Sequence, residues 1–449
     1  MADLAIGCRM TPRAGAVIAL VVMIVFLGAA LWVAVPGPPL SSVPAADIVA
    51  ADVSVDFSAA EIAAGDLLGQ RLRLVGLSSL ALGLAVAVVL GFWPWGSKLA
   101  AATARPLGGG WVWQVLVGGL AVLLVLRLST LPLSAWGESI RRDAGLSTRS
   151  WAGWGLDLAK GFGVNLALTL SALLLLVWLA RVMPRWWWAV GSVGAAALVV
   201  AVSFAYPVVV EPLFNHFTPM ADGELRTSLL ALAERDGVQV DDVLVADASR
   251  RTTTLNAYVS GFGGSRRIVV YDNLLEQAPP DEVRNVVAHE LGHADENDVL
   301  LGTLLGALAA AIAVVALSLV LSWRTLIEHA GVTGMGDGRV VALVLALVAV
   351  TSLVVAPIQN LASRRIEARA DVHALELTRD PATLTEMQRR LALAAKSDLT
   401  PNPLLFAWFG THPTTAQRIA LARSWAAARE LPVPPPLSPD RIDGTRSTP

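Results

Sequence analysis

Seven long apolar stretches divide the chain, with polar or glycine-rich segments between them. Each stretch is close to the roughly 20 residues that a helix needs to cross a bilayer. The first could also be the apolar part of a signal peptide, but it is longer than the ~7–15 residues usual there. The pattern therefore predicts seven transmembrane helices, at Ala14–Val35, Leu74–Trp93, Trp111–Leu128, Val164–Ala180, Trp186–Val210, Val299–Trp323 and Val340–Ile358.

Three connecting segments have patterns of their own. Ser58–Leu72, before the second stretch, has the spacing of an amphipathic helix. Pro132–Lys160 contains many polar residues and tryptophans, which favours a connection rather than a helix. Arg181–Arg185 is short and contains a proline, so it predicts a tight turn between the fourth and fifth helices.

Between the fifth and sixth stretches the pattern becomes that of a water-exposed α/β segment. Asp281 follows two prolines and is a candidate helix cap. The helix that follows it runs into the sixth apolar stretch, which predicts one continuous helix. The predicted elements are a helix at Asp222–Asp236, a strand at Val238–Ala246, a glycine-linked hairpin of Asn256–Val259 and Arg267–Tyr271, and a helix at Asp281–Asp298.

These changes of pattern divide the chain into five regions. Residues 1–210 form a membrane part with five helices, 211–298 an α/β insert, and 299–358 the last two transmembrane helices. Residues 359–430 form a charged, helical C-terminal part. Residues 431–449 form a proline-rich tail that is predicted to be disordered.

Composition supports a membrane protein. The 449 residues are 55% hydrophobic and 16% charged, against roughly 25% charged in a typical soluble domain. The net charge of −2 gives no indication of a nucleic-acid partner. Cys8 is the single cysteine, so an intramolecular disulfide and a cysteine zinc site are both excluded.

Residues 288–293 read Ala-His-Glu-Leu-Gly-His and contain the pattern H-E-x-x-H. On a helix, His289 and His293 lie one turn apart on one face, where their imidazoles can share a zinc ion. Glu290 can then reach a water molecule on that metal, accept its proton and pass it on. The alternative is a chance match on a surface helix. The chain has only six histidines, and two of them seldom fall in this register by accident.

A catalytic zinc usually takes three protein ligands, and Glu367 is the candidate for the third. The sixth and seventh helices cross out and back, so they return Glu367 to the membrane face that carries His293. Asp371, one helical turn further on, could accept a hydrogen bond from a ligand imidazole. Alternatively, Glu367 is one more charge on a solvated helix that also contains neighbouring arginines.

The remaining histidines differ in what surrounds them. His412 lies in a turn-like Gly-Thr-His-Pro segment and could donate a hydrogen bond to a developing oxyanion. By itself, it would more often be an ordinary loop residue. His373 is six positions from Glu367 and is predicted to point away from it, in a structural role.

These motifs resemble those of the type I CaaX prenyl proteases, which are integral-membrane zinc metallopeptidases, and of their bacterial relatives. The resemblance extends over nearly the whole chain and includes the count of seven membrane helices. The segments that carry it are Glu211–Pro219, Asp247–Thr252, Asn256–Tyr258, Arg267–Asp272, Ala288–His293, Ser363–Asp371 and Thr411–Pro413, followed by Arg418.

The resemblance implies a role for each residue of the predicted centre. His289, His293 and Glu367 would bind one zinc ion per chain. Glu290 would be the general base, and His412 would stabilise the tetrahedral intermediate.

The resemblance also implies the surroundings of this centre. Asn256 and Ala257 would bind an extended substrate, which fits their place on a predicted edge strand. Asp371 and Arg418 would hold the ligand side chains in place from the side away from the metal. The implied fold is mainly α: a polytopic membrane protein with seven transmembrane helices around a chamber, closed at its inner end by a small α/β, gluzincin-like metallopeptidase domain.

The expected function is a membrane-embedded zinc endopeptidase that acts on hydrophobic peptides or membrane proteins. CaaX-type cleavage is a capability to test rather than an assumed role. The alternatives are a stress-type membrane metalloprotease with fewer spans, a zinc-stabilised scaffold or translocation-assisting protein, and a transporter. Positively charged residues are concentrated in the loops before the second, fourth and sixth helices, which predicts a cell-membrane protein with its zinc domain and C-terminus in the cytoplasm.

Overall fold

A computed structural model describes residues 11–37, 43–261, 263 and 266–437 of the chain. Cys8 lies outside the described residues. In chain order, the helices of the membrane part are α1 Pro12–Ala34, α2 Ala59–Phe92, α3 Trp95–Ala104, α4 Trp111–Trp113, α5 Gly119–Asp143, α6 Trp151–Val182, α7 Trp187–Ala205 and α8 Glu211–Phe214. The later helices are α9 Glu224–Arg235, α10 Asp272–Gln277, α11 Pro280–Asp295, α12 Asp298–Val320, α13 Arg324–His329, α14 Val341–Thr378, α15 Pro381–Ala394, α16 Pro403–Phe409 and α17 Thr415–Ala427. The strands are β1 Phe217–Pro219, β2 Asp242–Ala246, β3 Ala257–Ser260 and β4 Arg267–Tyr271.

Within these residues, seven helical segments are long and apolar enough to cross a membrane, as the hydrophobic pattern predicts. In each of them, at most 28% of the most apolar window is buried inside the protein. The other residues of each window are at least partly exposed, on the outside of the protein or, in parts of α1, α12 and α14, along its cavity. The segments are Pro12–Ala34, Ala59–Phe92, Trp111–Asp143, Trp151–Val182, Trp187–Phe214, Asp298–Val320 and Gly338–Thr378.

Four membrane helices, α2, α5, α6 and α14, are longer than their predicted apolar stretches. The predicted amphipathic helix at Ser58–Leu72 and the second transmembrane helix are one element, α2. The Ser58 hydroxyl caps it by accepting from the Glu61 amide, and the Glu61 carboxylate accepts from the Ser58 amide in return. Helix α5 passes through Pro132 to Asp143, and α6 begins at Trp151. The predicted connection Pro132–Lys160 was therefore wrong at both ends, and only residues 144–150 lie between the two helices.

The prediction of one continuous helix through residue 298 was also wrong, because α11 ends at Asp295 and α12 begins at Asp298. Asn297 between them has φ 54°, a left-handed conformation that interrupts helical hydrogen bonding. At its other end, α11 begins at Pro280, so Asp281 lies in the first turn and does not cap the helix. Its carboxylate still lies at the positive end of the helix dipole there.

The four strands form one sheet in the order β1-β2-β4-β3. Strands β3 and β4 pair antiparallel, with Ala257 opposite Val270, which confirms the predicted hairpin. Strand β2 is shorter at its start than the predicted Val238–Ala246. Strand β3 lies at the edge of the sheet, as predicted, and it packs beside α11.

One hydrophobic core joins the sheet to α9, α11, α15, α17 and the end of α14. Val287 and Leu291 of α11 and Ile268 of β4 are completely buried in it, and Trp425 of α17 is nearly so. Because these apolar positions fix one face of α11 in the core, His289, Glu290 and His293 on its other positions border an internal cavity.

The sequence-based prediction places the start of the disordered tail too early, at Leu431. Arg423 of α17 donates to the carbonyls of Pro434 and Pro435, at 3.0 and 2.9 Å. The Leu437 amide donates to the carboxylate of Asp56 at 3.1 Å. The start of the tail is therefore packed against the protein, and residues 438–449 lie outside the described residues.

Candidate metal centre

Three candidate ligand side chains meet where α11 and α14 cross. His289 Nε2 lies 3.3 Å from His293 Nε2 and 3.3 Å from Glu367 Oε2. His293 Nε2 lies 3.7 Å from Glu367 Oε1. One ligand atom from each residue lies within 4.8 Å of the others, which makes the group a possible metal site. The structure therefore brings together the three residues that the sequence selects, although they are separated by two transmembrane segments.

A carboxylate contacts Nδ1 of each histidine, on the side of the ring away from the centre. Asp371 Oδ1 lies 3.0 Å from His289 Nδ1, the contact that the sequence predicts. Asp298 Oδ2 lies 2.9 Å from His293 Nδ1, and this contact was not predicted. A carboxylate at Nδ1 keeps the proton on that nitrogen, so the lone pair of Nε2 is directed at the shared centre. The break between α11 and α12 places Asp298 at this position.

A second layer of polar groups supports Asp371, whose side chain is completely buried. Arg418 Nε donates to Asp371 Oδ2 at 2.7 Å, and its Nη2 donates to Oδ1. Gln388, which is 3% exposed, lies 3.1 Å from both Nε and Nη2 of Arg418, so its amide oxygen can accept from both. Gln388 carries no signal in the sequence, because a buried glutamine on a helix belongs to no motif. Asp298 could have been suspected as a carboxylate just after the H-E-x-x-H helix.

The electrostatics of the centre follow from burial and these carboxylates. Burial opposes protonation of His289, but hydrogen bonds with Asp371 and Glu367 outweigh it and raise the pKa of His289 to about 9. Burial also raises the pKa of Glu290 above the usual carboxyl value, although the neighbouring histidines act in the opposite direction. A cation in the centre competes with the proton on His289, because only a neutral imidazole is a metal ligand.

His412 reaches the centre from the loop between α16 and α17. Its Nε2 lies 3.4 Å from Glu367 Oε2, and its Nδ1 lies 2.9 Å from the hydroxyl of Thr411. Its side chain is 57% exposed, unlike those of the ligand candidates. It is therefore an accessible group at the rim rather than a packed structural histidine. His373 instead bonds Asp236 at 2.8 Å, away from the centre, as the sequence predicts.

The centre opens into a cavity of about 1010 Å³. The predicted substrate residues Asn256 and Ala257 border it, together with the three ligand candidates, Glu290, His412 and Arg418. Its remaining walls come largely from membrane helices and are mainly apolar. They include Leu27 and Leu31 of α1, Leu300 and Leu305 of α12, and Val355 and Ile358 of α14.

Comparison with known protein families gives two matches that together cover most of the chain. A model of peptidase family M48 matches residues 219–426. A model described as CAAX prenyl protease N-terminal, five membrane helices, matches residues 71–216. The first match includes every residue of the candidate centre.

Curated proteins give the same assignment. An uncharacterized metalloprotease, YhfN of Bacillus subtilis, is 31% identical over 320 residues, which are 70% of this chain and 74% of that protein. CAAX prenyl protease 1 homolog of Dictyostelium discoideum is 33% identical over 217 residues, which are 47% of this chain but only half of that protein. CAAX prenyl protease 1 of Saccharomyces cerevisiae is 43% identical over 95 residues, which are 21% of each chain.

A solved structure shares the fold. The crystal structure of S. mikatae Ste24p superimposes with a TM-score of 0.69 and covers 92% of this chain and 97% of that one, at 22% sequence identity. The likeness confirms the predicted arrangement of seven membrane helices with a small α/β part. From the family models and the extent of the YhfN match, the chain belongs to the M48 peptidases, as a multi-pass membrane metalloprotease of the CAAX prenyl protease family.

Proposed function

We propose that this metalloprotease is a zinc endopeptidase that cleaves hydrophobic peptides or membrane proteins. The spacing of the three ligand atoms carries the proposal. Two atoms bound to a tetrahedral zinc at about 2.0–2.1 Å lie ~3.3 Å apart, and the closest ligand atoms here are 3.3 Å apart. Two histidines and one glutamate, with carboxylates behind the histidines, are also a ligand set of catalytic zinc, and they leave a coordination position open.

Each residue of the centre then has a chemical task. When bound, zinc polarises the scissile carbonyl and lowers the pKa of a water molecule. Glu290 accepts the proton of that water and returns it to the nitrogen of the leaving amine. His412 donates a hydrogen bond to the carbonyl oxygen as negative charge develops there. Asp371 and Asp298 keep the ligand imidazoles in the required tautomer.

The sheet edge and the cavity support a hydrophobic, extended substrate. Asn256 and Ala257 lie where β3 borders the cavity, so a peptide can pair with this edge as an additional strand. The apolar walls from α1, α12 and α14 favour nonpolar side chains or a lipid group. Relatives named CAAX prenyl protease make a prenylated peptide a suitable probe.

We further propose that the metal centre and the C-terminus are on the cytoplasmic side of a cell membrane. The excess of lysine and arginine in the loops on that side supports this orientation. A reporter that is active only in the cytoplasm, fused after residue 437, is expected to be active. A reporter that is active only outside the membrane is expected to be active in the loop between α6 and α7. The reverse pattern would contradict the orientation.

Cleavage by the purified full chain tests the function directly. Wild type, Glu290→Gln and Glu296→Gln are compared on prenylated and plain hydrophobic peptides, with zinc quantified in each. Glu296 is the matched control because it lies at the end of the same helix, and its side chain is 46% exposed. The expected result is cleavage by wild type and Glu296→Gln, none by Glu290→Gln, and equal zinc in all three.

The other outcomes separate the parts of the proposal. Full activity of Glu290→Gln would show that Glu290 is not the base. Cleavage that depends on a bound metal other than zinc would overturn only the choice of metal. Zinc in all three proteins without cleavage of any peptide would favour a scaffold role or a very narrow substrate range.

A further inference from the structure

The short helix α16 is apolar along its whole length and is poorly covered by the protein. Its seven residues, 403–409, are Pro, Leu, Leu, Phe, Ala, Trp and Phe. Leu404 is 80% exposed, and Trp408 and Phe409 are each 42% exposed. A contiguous apolar surface of this kind marks a site of contact with another apolar phase or partner. It lies outside the segments that qualify as membrane-spanning.

A hydrogen bond joins α16 to the membrane segment of α14. The Trp408 indole nitrogen donates to the carbonyl of Leu353 at 3.1 Å. Four residues after Leu353 is Pro357, which has no N–H, so the Leu353 carbonyl lacks its intrahelical donor. A free carbonyl at membrane depth is costly, because lipid offers no replacement donor. Trp408 supplies that donor from outside the helix, and α16 is thereby positioned beside a transmembrane segment.

The apolar surface of α16 is continuous with an exposed apolar surface on the membrane segment of α14. Around the Trp408 contact, α14 exposes Val354 (65%) and Leu361 (47%), both outside the cavity lining. One turn beyond Pro357, the side-chain Nδ2 of Asn360 donates to the Trp408 carbonyl. Two hydrogen bonds therefore fix α16 along this surface. We propose that α16 is seated in the bilayer interface, with Leu404 and Phe409 toward the lipid chains and the Trp408 ring at the boundary between headgroups and chains, where its N–H reaches the Leu353 carbonyl.

Contact of α16 with the bilayer also affects the metal centre. This part of the inference rests on the proposed role of His412. Helix α16 ends at Phe409, and His412 follows after two residues. Arg364 of α14 lies over the Phe406 ring at 5.2 Å from its centroid and also donates to the Gly410 carbonyl. The loop is therefore held at its start by α14 and the membrane. Bilayer contact of α16 thus positions the imidazole beside Glu367.

Lipid contact is tested without any need for activity. In a Cys8→Ser background, Leu404→Cys is labelled with an environment-sensitive fluorophore, and the full chain is placed in phosphatidylcholine vesicles that carry nitroxide on the acyl chains. Glu376→Cys is the control. It lies on the same helix as Ile358 but 18 residues further on, about 27 Å along the axis. Strong quenching at position 404 and little at 376 are expected.

Equal and weak quenching at both positions would overturn the proposal. In that case, a protein or peptide partner is the remaining occupant for this apolar face. Because the measurement reads depth rather than cleavage, it stays informative even if the proposed peptidase function fails.

A double-mutant cycle tests the link through the free carbonyl. Trp408→Phe removes the donor but keeps an aromatic ring. It is expected to lower kcat about threefold to tenfold, which is the effect of losing one net hydrogen bond. KM and zinc content are expected to change little. Pro357→Ala returns an N–H to α14, so Trp408→Phe is expected to have less than about a twofold effect in that background. An equal loss in both backgrounds would show that Trp408 does not act through the Leu353 carbonyl.

Discussion

Asp298 offers the sharpest test of how the centre is built, because it is outside every motif. Its Oδ2 lies 2.9 Å from His293 Nδ1, and its other oxygen accepts from Arg369. The side chain is 10% exposed, so water screens the contact poorly. Asp298→Asn keeps the shape of the side chain and removes its charge, and Asp298→Ala also removes the acceptor.

The expected loss can be worked out from this single contact. A hydrogen bond between a charged group and a partly buried partner contributes about 1.5–3 kcal/mol. Such a loss corresponds to a roughly tenfold to hundredfold weaker zinc affinity, which is also the usual cost of removing a carboxylate behind a histidine ligand. Asp298→Ala is expected at the upper end of this range and Asp298→Asn at the lower end.

The assay is a competition titration of the detergent-purified protein against a chromophoric zinc chelator, followed by peptide cleavage at rising free zinc. Added zinc should restore much of the activity of Asp298→Asn, because Glu290 and the three ligands are unchanged. Glu296→Gln is the matched control. Glu296 also pairs with Arg369, at 3.3 Å, but its side chain is 46% exposed, whereas that of Asp298 is 10% exposed. Wild-type zinc affinity in both Asp298 variants would refute the reasoning.

Two further predictions address the third ligand and the attachment of the C-terminal part. Glu367→Ala is expected to reduce zinc content to near background and to abolish cleavage. Glu376→Ala, on the exposed end of the same helix, should retain both. Normal zinc content in Glu367→Ala would exclude Glu367 as a ligand. Asp56→Ala is expected to lower the free energy of unfolding by about 3 kcal/mol, because it leaves the buried guanidinium of Arg423 without its 2.8 Å partner. Adding Arg423→Met should recover part of the loss, and an unchanged unfolding midpoint in Asp56→Ala would contradict this account.

Local sequence signals predicted the elements well but not always their ends. The seven apolar stretches and the β3–β4 hairpin were predicted because hydrophobic length and glycine-linked alternation are local properties. Helix α5 continues past Pro132, although a proline usually stops a helix, because transmembrane helices tolerate proline where neighbouring groups bond the freed backbone. The break at Asn297 was missed, since a single left-handed residue leaves no mark in the hydrophobic pattern.

The sequence by itself determined the membrane class and the H-E-x-x-H helix, and it selected Glu367 and Asp371 as candidates, because metal chemistry restricts both residue type and helical spacing. Only the tertiary structure decided which groups complete the centre. Asp298 reaches His293 because the chain turns at Asn297, and Gln388 reaches Arg418 because α15 packs beside α11 and α17. The pairing of Trp408 with the carbonyl freed by Pro357 joins residues 55 positions apart. Such contacts depend on how helices pack, and no local pattern encodes them.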